Sequence, residues 1–128
     1  MNTEPITAPP SVVETSPNKP LVYLACPYSH PDKWVRVARF EAVNKMAGTL
    51  LNKGLSVFSP ISMSHPIAVQ CTIPGDWQFW AKFDTDFISC CNAMYVLMLP
   101  GWKESTGVTA EIAIATKFGI PVIYLEVE

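Results

Sequence analysis

Four short apolar runs, LVYLAC (21–26), LSVFSP (55–60), AMYVLMLP (93–100) and IPVIYLEV (120–127), recur along the chain with longer segments between them. Each is apolar at odd and even positions alike, so each has two faces to bury, which suits parallel strands covered by helices on both sides. The segments between them supply those helices. PDKWVRVARFEAVNKMAGTLLNKG (31–54) sets Trp34, Val37, Ala38, Val43, Ala47, Leu50 and Leu51 at mostly helical spacing, with Asp32 near the N-cap and Gly54 closing the helix in the left-handed conformation. GDWQFWAKFDTDFISC (75–90) repeats Trp77, Trp80, Phe83 and Phe87 at three- and four-residue steps, predicting a second helix with these rings inward. KESTGVTAEIAIATKFG (103–119) reads as a turn plus a helix ended by Gly119. The Pro/Ser/His segment 60–75 has no clear period and is read as a long loop, a class that often carries function. The pattern predicts an α/β fold: a doubly wound, Rossmann-like or flavodoxin-like parallel sheet of four to five strands flanked by helices. Ligands in such folds sit beyond the carboxyl ends of the strands, the edge on which CPYSH, SPISMSH and PGWKESTG all fall.

Residues 1–20 hold five of the twelve prolines with Ser, Thr and Asn and no period, and read as a flexible leader ahead of a single domain over 21–128. At 128 residues and 49% hydrophobic, the chain suits one core. A net charge of −2 with nine Lys and Arg lacks the basic footprint of a protein that binds polymeric nucleic acid, and leaves a mononucleotide open. Cys26, Cys71, Cys90 and Cys91 have no CxxC spacing, so reduced thiols are expected and neither a zinc site nor a disulfide framework. No apolar run approaches the roughly 20 residues of a membrane span and no signal-peptide pattern opens the chain, so a cytoplasmic protein with no membrane partner is expected.

Several residues carry chemistry at the predicted ligand edge. Glu111 lies one to two turns into a helix among Ala110, Ile112, Ala113 and Ile114; it is either at the helix margin facing water or held in the strand-end cleft. Ser105, Thr106 and Gly107 stand at that helix's start, as a cap, an anion site, or both. Asp84 and Asp86 share the aromatic helix, each either solvated or desolvated enough to move a proton. Tyr23 sits inside an apolar strand, where its hydroxyl needs a partner. Tyr28, Ser29 and His30 follow the strand-ending Pro27, and His30 and His65 read as loop hydrogen-bonders without metal-site spacing. No Walker lysine, GxGxxG or Ser-His-Asp order is present.

Taken together, VYLACPYS, Asp84 eight residues before Asn92, and STGVTAE at 105–111 resemble the nucleoside 2-deoxyribosyltransferase superfamily, including its nucleotide N-glycosidases, over about residues 21–127. The resemblance implies that Glu111 is the nucleophile attacking the anomeric carbon, that Tyr23 orients it, and that Asp84 helps the base depart. It also implies that Ser105 holds a 5′-phosphate, with Ser29 and Arg36 or Arg39 as second ligands and Gly107 letting the backbone approach, and that the protein assembles as a homodimer or larger. Position and chemistry add Tyr28 beside the ligand, Asp86 at a base edge, and Trp102 with Trp77 and Trp80 flanking a base, or packing in the core or as a lid. No cofactor is implied; the expected ligand is a small nucleoside or nucleotide. Cys26 departs from the glycine usual in related sequences. The expected activity is cleavage of the base–sugar bond of a (deoxy)nucleoside 5′-monophosphate, with sugar transfer between bases, or nucleotide sensing without chemistry, as alternatives.

Overall fold

The computed structural model describes residues 20–73 and 77–127, except the side chain of Trp77; the expected leader and the inward placement of Trp77 lie outside what is described. Four strands, β1 (Leu21–Ala25), β2 (Ser56–Phe58), β3 (Ala93–Leu97) and β4 (Val122–Leu125), form one all-parallel sheet in the order β2-β1-β3-β4. Helices α1 (Lys33–Asn52), α2 (Pro60–Gln70), α3 (Trp77–Ile88) and α4 (Thr106–Lys117) connect them, with a short 3-10 turn at Trp102–Glu104. This is the doubly wound α/β architecture the apolar runs predict, with four strands.

Alternation along β1 divides the core. Tyr23 and Ala25 face one layer with Ile88 of α3 and Val108 and Ala115 of α4, whereas Leu24 and Cys26 face the other with Val43, Met46, Ala47 and Leu50 of α1. α1 is capped as expected: the Asp32 side chain accepts from the Trp34 N–H at 2.8 Å, and Gly54 follows at φ +91°. Two of its apolar residues do not join the core. Trp34 and Leu51 are exposed, because the face that meets the sheet runs through 43, 46, 47 and 50. On α3, Trp80 and Phe83 are half-buried, and Phe87 is exposed although its ring stacks on Phe58 at 4.3 Å.

The largest departure is the segment 60–75, expected as a loop. Residues 60–70 form α2, opened by Pro60, whose fixed φ suits a first helical turn, and continuing through Pro66. Two prolines hid the helical period of Ile61, Ser64 and Ala68. Among the described residues no helix is long and apolar enough to cross a membrane.

Candidate active site

From β1 the chain crosses to β2, and from β3 it crosses to β4 on the other side, so the connections leaving these adjacent strands diverge. Such a switch point opens a crevice at the carboxyl ends of the strands. A cavity of about 490 Å³ lies there. The segment after β1 lines it with Cys26, Tyr28 and Ser29, and the start of α4 with Glu104, Ser105, Thr106 and Gly107. α2 contributes Pro60, Ile61, Ser64 and Ala68, and α3 contributes Trp80 and Phe83. Asp84 and Glu111 bring two carboxyl groups to the same cavity.

The address of Glu111 follows from helical spacing. Val108, Glu111 and Ala115 fall on one stripe of α4, and all three are buried. A carboxyl group on a buried stripe needs a partner, and β1 supplies it: Tyr23, fully buried, donates its hydroxyl to Glu111 Oε2 at 2.6 Å. One contact thereby satisfies both the strand tyrosine and the helix glutamate, so of the two readings left open for Glu111 the cleft is the one observed. Asp84, also buried, is close enough to both to couple with them.

Burial, then the neighbouring Asp84 charge, hold the Glu111 carboxyl well above the ordinary carboxylate range, with the Tyr23 hydrogen bond opposing. Burial also raises Asp84, against interactions with Glu111 and Tyr23 that favour its ionised form. Two buried carboxyl groups that interact in this way hold one proton between them. Tyr23 is pushed far upward by burial and then by the two carboxylates, so it remains a donor. Cys26 is likewise raised, by burial and then by Glu111 with Arg39 opposing, and stays a thiol rather than a nucleophile.

Arg39 ties the two loops at the cavity together. Its Nη1 donates to the Ser29 carbonyl at 3.0 Å and the Tyr28 carbonyl at 3.4 Å, and its Nη2 donates to the Pro100 carbonyl at 3.0 Å. Gly101, at φ +89°, makes room for it, since a Cβ there would lie 2.9 Å from Arg39 Nη2. Gly101→Ala is therefore expected to destabilise the fold by about 1–2 kcal/mol. Chemical denaturation measures it, and an unchanged midpoint contradicts the clamp. Arg36 donates to the His30 and Pro31 carbonyls, so both arginines are committed to backbone. His30 accepts from the Asp32 N–H at 3.0 Å, whereas His65 lies on α2, stacked on Phe40 and 2.5 Å from the Tyr28 hydroxyl.

Glu111, Asp84, Ser105, Gly107, Tyr28 and Ser29 come together around the cavity, with Tyr23 bonded behind Glu111. Two of the expected substrate contacts do not. Asp86 points to solvent on the far side of α3 and pairs with Lys82 at 2.7 Å, because it is two residues from Asp84 and so faces away on a helix. Trp102 packs on the core and on the Tyr124 ring, at 5.4 Å between centroids, outside the cavity lining. Ser105 caps α4, its Oγ accepting from the Val108 N–H at 3.2 Å, which leaves the hydroxyl proton for a ligand. Cys26, Glu104, Ile61 and Ser64 lie in the stretches expected at the ligand edge but were not singled out as site residues, and Ala68 was not placed there; spacing at 61, 64 and 68 was the available signal for the α2 face.

A comparison with curated proteins finds no match. A family model described as a domain of unknown function, DUF1937, matches residues 20–127. Since that match spans nearly all of the 128 residues, the chain belongs to the DUF1937 family.

Proposed function

We propose that the protein is an N-glycosidase that cleaves the base–sugar bond of a nucleoside or, as its Ser105 position suggests, a (deoxy)nucleoside 5′-monophosphate. The observation that carries this reading is the buried Tyr23–Glu111 hydrogen bond at the edge of a nucleoside-sized cavity, with Asp84 beside it. It agrees with the resemblance to the nucleoside 2-deoxyribosyltransferases. Glu111 is the nucleophile at the anomeric carbon, Tyr23 is the donor that fixes its orientation, and Asp84 is the acid for the base.

The shared proton gives the two carboxyl groups complementary tasks. As the glycosidic bond breaks, its electron pair passes to the base nitrogen, and the proton held by the pair passes to the base by way of Asp84. Glu111 is then ionised, stabilises the cationic sugar and closes on it as an ester. Water attacks that ester, giving the free sugar and returning one proton to the pair; a second base in place of water gives transfer instead. The Thr106 and Gly107 N–H groups in the first turn of α4, with the Ser105 hydroxyl, suit the 5′ end of the sugar. A homo-oligomer in the cytoplasm belongs to the same reading, with exposed Ile123 and Tyr124 on edge strand β4 as apolar surface for a second copy.

The test is chromatography of free base from a panel of ribo- and deoxyribonucleosides and their 5′-monophosphates. Release by the wild-type protein is the expected result, and a preference for monophosphates supports the role of Ser105. No release from any compound, with or without an acceptor base, overturns the enzyme and leaves a nucleotide-binding module.

A further inference from the structure

We infer that Ser64 is a base-reading residue, whose hydroxyl bonds a polar edge group of a purine or pyrimidine held against α2. The inference rests on the N-glycosidase reading for the identity of the ligand, and on independent observations for the residue.

Ile61, Ser64 and Ala68 stand at i, i+3 and i+7 of α2, and all three line the cavity. Together with Ile73 and the Trp80 and Phe83 rings they make an apolar part of the wall, and the two rings meet edge to face at 5.5 Å. An apolar wall with aromatic rings in it suits a planar heterocycle. Ser64 interrupts the α2 stripe with a polar group that is only 9% exposed.

A buried serine on a helix ordinarily returns its hydroxyl to the carbonyl four residues earlier. Thr49, Thr85 and Thr116 do so in their own helices. Ser64 does not, and its hydroxyl meets no hydrogen-bond partner among the described residues. Nor is that oxygen sealed from the cavity, since the described residues hold no fully enclosed side-chain oxygen or nitrogen without a partner. A hydroxyl that is buried, without a partner among the described residues and on the lining of a cavity is placed to bond what enters that cavity. It can donate or accept, so it fits the exocyclic amine or carbonyl at C6 of a purine or C4 of a pyrimidine. Asp84, on the opposite helix, is left to the departing ring nitrogen.

The test compares Ser64→Ala and the near-isosteric Ser64→Cys with wild type on matched nucleosides and their 5′-monophosphates. One member of each pair carries the natural edge groups (adenosine, cytidine and their deoxy forms) and the other lacks them (purine and 2-pyrimidinone nucleosides). For the base that wild type prefers, both variants are expected to lose about tenfold in kcat/KM, mainly through KM. The unsubstituted partner is expected to be unaffected. Equal losses on both members of a pair, or none on either, overturn the inference, the first because it marks a packing role. Should wild type cleave neither the nucleosides nor their 5′-monophosphates, the glycosidase reading fails by itself, and calorimetry of adenine against unsubstituted purine still decides Ser64. Tighter adenine binding that disappears in Ser64→Cys supports it, and equal binding to wild type and variant overturns it.

Discussion

Glu111→Gln is expected to abolish base release, lowering turnover by about a thousandfold or more, while the protein stays folded. The amide keeps the volume and an acceptor for the Tyr23 hydroxyl, now 2.6 Å from Glu111 Oε2, so the buried contact survives in shape. It cannot form the ester with the sugar. Stability moves the other way, and its sign follows from the raised carboxyl. A folded-state value above the unfolded one contributes stability that is complete below the ordinary carboxylate range and is lost as pH rises through the raised value. Glutamine has no such loss. The melting temperature of Glu111→Gln should therefore gain on wild type as pH rises above the ordinary carboxylate range. Calorimetric scans at rising pH measure it, and a gap that shrinks with pH contradicts the buried, protonated state. Tyr23→Phe removes only the hydroxyl; with that opposing hydrogen bond gone, Glu111 is raised further and its ionisation moves to higher pH.

Asp84→Asn is expected to cost about a hundredfold to a thousandfold in kcat/KM on nucleosides whose base must be protonated to leave. It should also reshape the pH profile. Wild type works when the pair holds one proton, so its rate rises as the first proton leaves and falls as the second leaves. Removing the Asp84 charge withdraws one of the causes that raise Glu111, so Glu111 alone ionises below the pH of the second loss in wild type and now sets the rising limb. The falling limb disappears, because asparagine has no proton to lose. A profile in Asp84→Asn that keeps both limbs in place would mean that Asp84 is neither the acid nor the charge that perturbs Glu111.

What the sequence made legible was what short-range physics decides. The four strands could be read because each run is apolar on both faces, and α1 and α4 because their caps, Asp32 and Ser105, use the ordinary side-chain-to-backbone bonds. α2 was hidden because Pro60 and Pro66 usually punctuate chains, yet here one opens the helix and the other rides inside it. The site was half visible. Glu111 had two addresses on spacing alone, and what decides between them is Tyr23, 88 residues away in sequence. Asp84 and Asp86 were indistinguishable by composition and separate only because the rotation of α3 buries one and exposes the other beside Lys82. Trp102 carried the aromatic character of a substrate wall, but its ring is taken up by Tyr124 and the core. The cavity's aromatic surface comes instead from Trp80 and Phe83, where helical spacing had directed them inward.

The most direct measurement is the mass of the peptide bearing Glu111 after the protein is quenched during turnover of a 2′-fluoro-arabinosyl nucleoside. The fluorine destabilises the cationic sugar and slows breakdown of the ester below its rate of formation, so the intermediate accumulates. The proposed mechanism predicts one fluorosugar on Glu111 for each base released in the first turnover, and none in Glu111→Gln. Full release of base with Glu111 unmodified would contradict it.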